Sequence, residues 1–268
     1  MNICVCIKQV PDTTEIKIDP VKHTLIRDGV PSIVNPYDTY ALEAAARIKD
    51  KNPDTKIVVI SMGPEQAKAA LKECLAIAAD KAYLITDRAF GGSDTLATSY
   101  ILATSIQYVE SLEGKFDAIF CGKQAIDGDT AQVGPEIAEH MGYPQVTYAL
   151  EVFEDGENTF RVIQQGPENK QVVGVDLPCV LTFTQPEFEV RYPTIKRKMA
   201  ANRATIPSVT ASDLPGIDLE RCGLKGSPTH VKKSFVPVHE SKLQMIKEEN
   251  VEDSAKVLAG LLSKENII

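Results

Sequence analysis

The run CGKQAIDGDTAQVGPE (121–136) gathers the residue types that hold a phosphate. An apolar strand ends at Gly122, a polar loop follows, and Asp129 or Thr130 is placed to cap a helix. A helix N-terminus offers unpaired backbone N–H groups and the positive end of a dipole, which together bind anions. Thr130 and Gln132 add side-chain donors, Lys123 adds charge, and Gly128 and Gly134 allow close backbone approach. Lys123 and Asp127 are also the types that do acid–base work, although a loop lysine beside phosphate more simply supplies charge. Neither G-x-G-x-x-G nor G-K-[ST] occurs here. Two readings therefore stand: a nucleotide loop, and a plain strand–loop–helix turn with a good cap.

A second feature is VNPYDTYALE (34–43). Asn35 precedes Pro36 and is biased to extended geometry, with an amide able to bond a base or ribose edge. Tyr37 can stack on an adenine or simply pack. An N-capped helix entry with a hydrophobic staple accounts for the same residues. A third is the basic stretch Arg191, Lys196, Arg197, Lys198 and Arg203, with no acidic residue between 190 and 212. Ile195 sits apolar among these charges, which is how a buried anchor ringed by charge looks, so the stretch reads as a docking surface for an acidic partner. A solvated loop is the alternative. The histidines His23, His140, His230 and His239 are scattered, no C-x-x-C or G-x-S-x-G occurs, and a metal site or Ser/Cys hydrolase is not supported.

The elements that must position these residues alternate. NICVCI (2–7), KIVVISMG (56–63), KAYLIT (81–86) and FDAIFCG (116–122) read as buried strands. Helices are expected over 38–50, with Asp38 as N-cap, over 65–80, over 93–112 with Ser93 or Asp94 as cap, and over 129–142. Residues 13–34 suggest a small hairpin turning at Asp28-Gly29. Such alternation predicts a doubly wound, mostly parallel α/β sheet with helices on both faces and ligands beyond the strands' carboxyl ends. After Pro144 come a hairpin signal at Asp155-Gly156 and the strands QVVGV and PCVLTFT, an antiparallel addition to this sheet or a small flanking one. Residues 207–240 carry prolines without a period and read as an extended arm, and the chain ends in helix. Two parts are expected: an α/β domain over 1–184, and a recognition loop with C-terminal arm over 185–268.

Composition sets the bounds. The chain has 268 residues, 43% apolar and 25% charged, which are globular values and exclude collagen and disordered classes. A net charge of −8 argues against wholesale nucleic-acid binding, and the absence of tryptophan argues against a base-stacking surface. Apolar runs are too short to span a membrane, and MNICVCIKQV lacks a basic n-region, so no signal peptide is expected. Cys4 and Cys6 read as small apolar residues of a buried strand rather than a shared ligand set, and a reduced, cytoplasmic protein is expected.

Together these segments resemble the beta subunit of electron transfer flavoprotein. VCIKQVPD is similar to that family's strand-one exit, and VNPYD with ALEAA, VISMGP, and GKQAID with its following G-P to its successive nucleotide loops. Gln171, Val173, Pro178, Val180, Leu181 and Thr182 match the back half of its signature segment, while RVIQQGPENK departs from the front half. RYPTIKRKM resembles its partner-recognition loop. The resemblance implies an adenine-nucleotide-binding, Rossmann-like domain paired with an alpha subunit that carries FAD. It places a second nucleotide on Cys6, Lys8, Asn35, Pro36, Tyr37, Asp38, Met62, Gly63, and on Lys123, Gln124, Ala125, Ile126, Asp127, Gly128, Asp129, Thr130, Ala131, Gln132, Val133 and Gly134.

In mammalian-type members that nucleotide is AMP. In electron-bifurcating relatives it is FAD, which accepts hydride from NADH. GDTAQVGP is small and less acidic, resembles the bifurcating version, and favours FAD over AMP. The implied scheme sends one electron to ferredoxin or flavodoxin and the other through the alpha-subunit FAD to an acyl-CoA or related dehydrogenase, with the protein positioning and tuning the flavin. A stress-type nucleotide sensor would lack the chain beyond about residue 150, and an ATP-dependent ligase would need S-G-G-x-D-S where KQVPDT stands.

Overall fold

The computed structural model describes residues 1–12, 31–232, 243 and 245–268. In chain order the elements are β1 (Asn2–Cys6), β2 (Gln9–Pro11), β3 (Ser32–Val34), α1 (Pro36–Lys51), β4 (Lys56–Met62), α2 (Lys68–Ile77), β5 (Lys81–Ile85), α3 (Thr95–Glu113) and β6 (Ala118–Gly122). There follow α4 (Val133–Met141), β7 (Gln145–Glu154), β8 (Thr159–Gln165), β9 (Lys170–Asp176), β10 (Cys179–Phe183), α5 (Ile195–Arg203), β11 (Ser208–Val209) and α6 (Val251–Lys264).

One nine-stranded sheet runs in the order β11-β5-β4-β1-β6-β10-β7-β8-β9. Its strands from β11 to β7 are parallel, and β8 and β9 add antiparallel. Both faces are covered, so the central strands are apolar on both sides. Along β1, Ile3 and Val5 join the core under α1 and α2, while Cys4 and Cys6 join the core under α3 and α4. The expected α/β architecture holds, with differences in its strands and in its helix starts.

PCVLTFT is not antiparallel. β10 inserts between β6 and β7 and runs parallel to both, which fits a strand buried at all five positions. The run from 207, read as an extended arm, begins on the sheet. β11 pairs with β5 at the sheet edge, and Leu214, Cys222 and Ser227 are buried beyond it. The terminal helix is α6, and none of its residues is buried.

Helix starts also differ. α1 begins at Pro36 with Asn35 as cap, because proline's fixed φ suits the first helical position. That frees Asp38 to turn inward. A 3-10 turn at Glu65–Ala67 precedes α2. Asp94, not Ser93, caps α3, its Oδ1 accepting from the Ala97 N–H at 3.1 Å. β2 pairs with β3, and the turn expected at Asp28-Gly29 lies outside the described residues. No described helix is long and apolar enough to cross a membrane.

Candidate functional site

A cavity of about 350 Å³ opens at the carboxyl ends of β1, β4 and β6. After β1 the chain moves outward through β4 and β5, then returns to place β6 on β1's other side. That reversal leaves a crevice at the strand ends, where α/β sheets bind ligands. Cys6, Ile7 and Lys8 line it from β1, Met62 from β4, and Cys121, Gly122 and Lys123 from β6. Ser93, Asp94, Thr95, Thr98 and Leu102 close the side formed by α3, and Gln124, Ala125, Gly128 and Thr130 to Gly134 form the loop and the start of α4.

Asp38 is the centre of the wall. Its Oδ2 accepts from the Lys8 N–H at 2.6 Å, and its Oδ1 from the Gly122 N–H at 3.2 Å and from Asn35 Nδ2 at 2.9 Å. One carboxylate thus ties together the ends of two adjacent strands and the entry of α1. Burial raises its carboxyl to about 7, and the Asn35, Lys8 and Gly122 donors pull the other way. The approach is close enough that a Cβ on Gly122 would lie 2.2 Å from Asp38 Oδ1. Gly122 is therefore a glycine by necessity.

Asn35 is 1% exposed, and its amide is already engaged. Besides Asp38, its Nδ2 donates to the Gln124 carbonyl at 2.8 Å, and its Oδ1 accepts from the Ile126 N–H at 3.1 Å. The side chain expected at a base or ribose edge instead holds the 124–126 backbone. Gln124 Nε2 continues the chain of bonds to Asp129 Oδ1 at 2.6 Å.

Asp129 and Ala131 have φ of 52° and 53°. Left-handed backbone cannot open a right-handed helix, so neither Asp129 nor Thr130 caps α4, and the helix begins at Val133. Gln132 occupies the cap position without a side-chain cap bond. The first N–H groups of α4 consequently face the cavity without a side-chain acceptor, whereas Asp94 already occupies the start of α3. Gly134 serves packing: a Cβ there would lie 2.5 Å from Thr182 Cγ2 on β10. At Gly128 a Cβ would meet nothing within 4 Å.

Two lysines line the cavity, in different states. Lys8 Nζ pairs with Asp127 Oδ1 at 2.6 Å. Lys123 Nζ lies 5.8 Å from the Tyr37 ring centre and 5.0 Å from that of Tyr148, and among the described residues no carboxylate pairs with it. Of the expected nucleotide residues, Cys6, Lys8, Asp38, Met62, Lys123, Gln124, Ala125, Gly128, Thr130, Ala131, Gln132, Val133 and Gly134 line one cavity. Asn35, Pro36, Tyr37, Gly63, Ile126, Asp127 and Asp129 stand behind or beside it. The α3 residues are not among the site residues expected from the sequence, although the Asp94 cap in the connection after a parallel strand is a signal for them.

The basic stretch divides. Arg191 binds buried Glu43 through Nε at 2.8 Å and Nη2 at 3.0 Å, and reaches Asp50 at 2.7 Å. Arg197 donates to the carbonyls of Leu75, Ala76 and Ala79 at the end of α2. Both guanidiniums hold the segment onto the sheet's helices. Ile195, Lys196 and Lys198 remain exposed, with Ile195 at 82%, beside Tyr192 and Met199.

The family profile described as "Electron transfer flavoprotein domain" matches residues 22–214. The electron transfer flavoprotein subunit beta of Megasphaera elsdenii is 50% identical over 259 residues, spanning 96% of this chain and 95% of the relative. The subunit beta of Clostridium acetobutylicum is 48% identical over 268 residues, all of both chains. The caffeyl-CoA reductase-Etf complex subunit CarD of Acetobacterium woodii is 46% identical, again over the whole of both chains.

Proposed function

The chain belongs to the electron transfer flavoprotein family as a beta subunit, and from that premise we propose that its cavity holds FAD and works in electron bifurcation. The observation that carries the reading is the α4 entrance. Among the described residues its first N–H groups have no side-chain cap and no carboxylate neutralises Lys123 beside it, and a Cβ at Gly128 would meet open space. Those features suit a dinucleotide's pyrophosphate. FAD supplies the redox chemistry when bound, and NADH is the electron source. The chain's own residues bind and orient. Asp38 and Asn35 hold the loop, the α4 N–H groups and Lys123 take phosphate, and Lys8 is kept beside the cavity by Asp127.

In this reading residues 1–184 hold the nucleotide, and the exposed parts of 185–268, around Ile195 and along α6, meet partners. The alpha subunit is the constant partner, and one relative of this chain is named as a subunit of a caffeyl-CoA reductase-Etf complex. Ile195 with Lys196 and Lys198 docks an acyl-CoA or related dehydrogenase, and ferredoxin or flavodoxin takes the second electron. The working location is cytoplasmic.

Flavin and AMP counted per heterodimer test it. Two flavins per dimer, with NADH-dependent reduction of ferredoxin, are expected. Replacing Gly128→Asp adds a carboxylate to the cavity lining at a position where a Cβ meets no atom within 4 Å, and should lower the count toward one flavin. A wild-type heterodimer with one FAD and one AMP overturns the reading in favour of a non-bifurcating subunit.

A further inference from the structure

Tyr148 departs from the local rules of its strand. Its φ is 55°, a left-handed value that costs an aromatic residue roughly 1–3 kcal/mol and persists where the surroundings impose it. The register explains how. Between β10 and β7, Leu181 pairs with Val146 and Phe183 with Ala149, so β7 carries one extra residue in this step. This is a β-bulge, a device that re-aims a side chain near a site. The Tyr148 N–H is held by Thr182 Oγ1 at 3.3 Å. Tyr148 is left 38% exposed, with its ring centre 5.0 Å from Lys123 Nζ, and Tyr37 faces the same ammonium at 5.8 Å.

Aromatic faces do something to a lysine that a carboxylate cannot. They attract the ammonium through the ring quadrupole but leave its charge in place. The cavity already contains the opposite arrangement in Lys8, which Asp127 neutralises. Asp38 and Asp94 add negative charge to the same lining. Lys123 is the lining cation with no carboxylate partner among the described residues.

We infer that Tyr148 is a positioning residue of this site: the bulge swings its ring over Lys123 and holds that lysine at the cavity, with its charge available to the phosphate of a nucleotide. The inference rests on the nucleotide-binding reading above.

The test uses the full-length chain, freed of copurifying nucleotide and titrated calorimetrically with ADP and with adenosine. Tyr148→Gly accepts the left-handed backbone and deletes the ring. Its unfolding midpoint should hold or rise, its ADP affinity should fall about tenfold, and its adenosine affinity should stay within about twofold. Tyr148→Phe keeps the ring face and should bind ADP within about twofold of wild type. Unchanged ADP affinity in Tyr148→Gly overturns the inference. So does an equal loss of ADP and adenosine, which marks structural damage, or a Phe variant as impaired as the Gly variant. Wild-type protein that binds ADP no tighter than adenosine overturns this inference and leaves nucleotide binding standing. Wild-type protein that binds neither overturns both.

Discussion

Asp38 shows what a single buried carboxylate does at the strand ends. Burial raises its carboxyl from 3.8 to about 7, against the pull of three donors. A carboxyl raised in the fold contributes stability that is complete below its unfolded value and is lost as pH rises through its folded value. The loss here spans about pH 4 to 7 and amounts to about 4 kcal/mol at most. Asp38→Asn cannot ionise. Its stability deficit against wild type, measured by urea unfolding, should narrow from pH 5 to pH 8, and a widening deficit would mean that the donors outweigh burial. Gly134 answers to packing at the same scale. With a Cβ 2.5 Å from Thr182 Cγ2, Gly134→Ala should cost about 1–3 kcal/mol. Thr182→Ser removes that methyl and keeps the hydroxyl that accepts from Tyr148, so the double variant should recover part of the loss. Strict additivity in the cycle would refute the clash.

At the scale of elements, the clearest consequence concerns α5. The stretch from Arg191 through α5 reads as basic and exposed, yet Arg191 ahead of the helix and Arg197 within it are structural. Arg191 neutralises Glu43, which is 3% exposed and would otherwise be a buried, unpaired charge. Arg197 supplies three N–H···O bonds, of 3.3, 3.0 and 2.9 Å, to carbonyls at the end of α2, where cationic donors are favoured by the helix dipole. Arg197→Ala should lower stability by about 1–3 kcal/mol and speed amide hydrogen exchange across 195–203. Arg197→Lys should fail to restore protection, because a point-like ammonium cannot span three acceptors. Protection unchanged in both variants would show that α5 is held by other contacts. The loop before α4 is the other element to note. Its two left-handed residues delay the helix to Val133 and leave its N-terminus uncapped.

At the scale of the molecule, the sheet and its four central helices form a core independent of the last helix. α6 buries none of its residues, and Val251, Val257 and Leu258 stay exposed on it. A chain ending at residue 247 should keep the wild-type thermal midpoint and lose assembly with the alpha subunit, measured by size-exclusion chromatography of the co-expressed pair. A lowered midpoint would show that α6 packs on the core. The alternation of apolar strand and amphipathic helix determined the α/β class and the placement of the cavity, because burial on both faces of a parallel sheet demands continuous apolar strands. The residue types of 121–136 and 34–43 marked the site's walls for the same kind of local reason. What only the tertiary structure decided depends on long-range contacts. The insertion of β10 between β6 and β7, the use of Asn35 on the 124–126 backbone, and the pairing of Arg191 with Glu43 each join residues far apart in the chain. The left-handed turns at Asp129, Ala131 and Tyr148 carry no glycine to announce them, because their strain is imposed by surrounding packing rather than by local propensity.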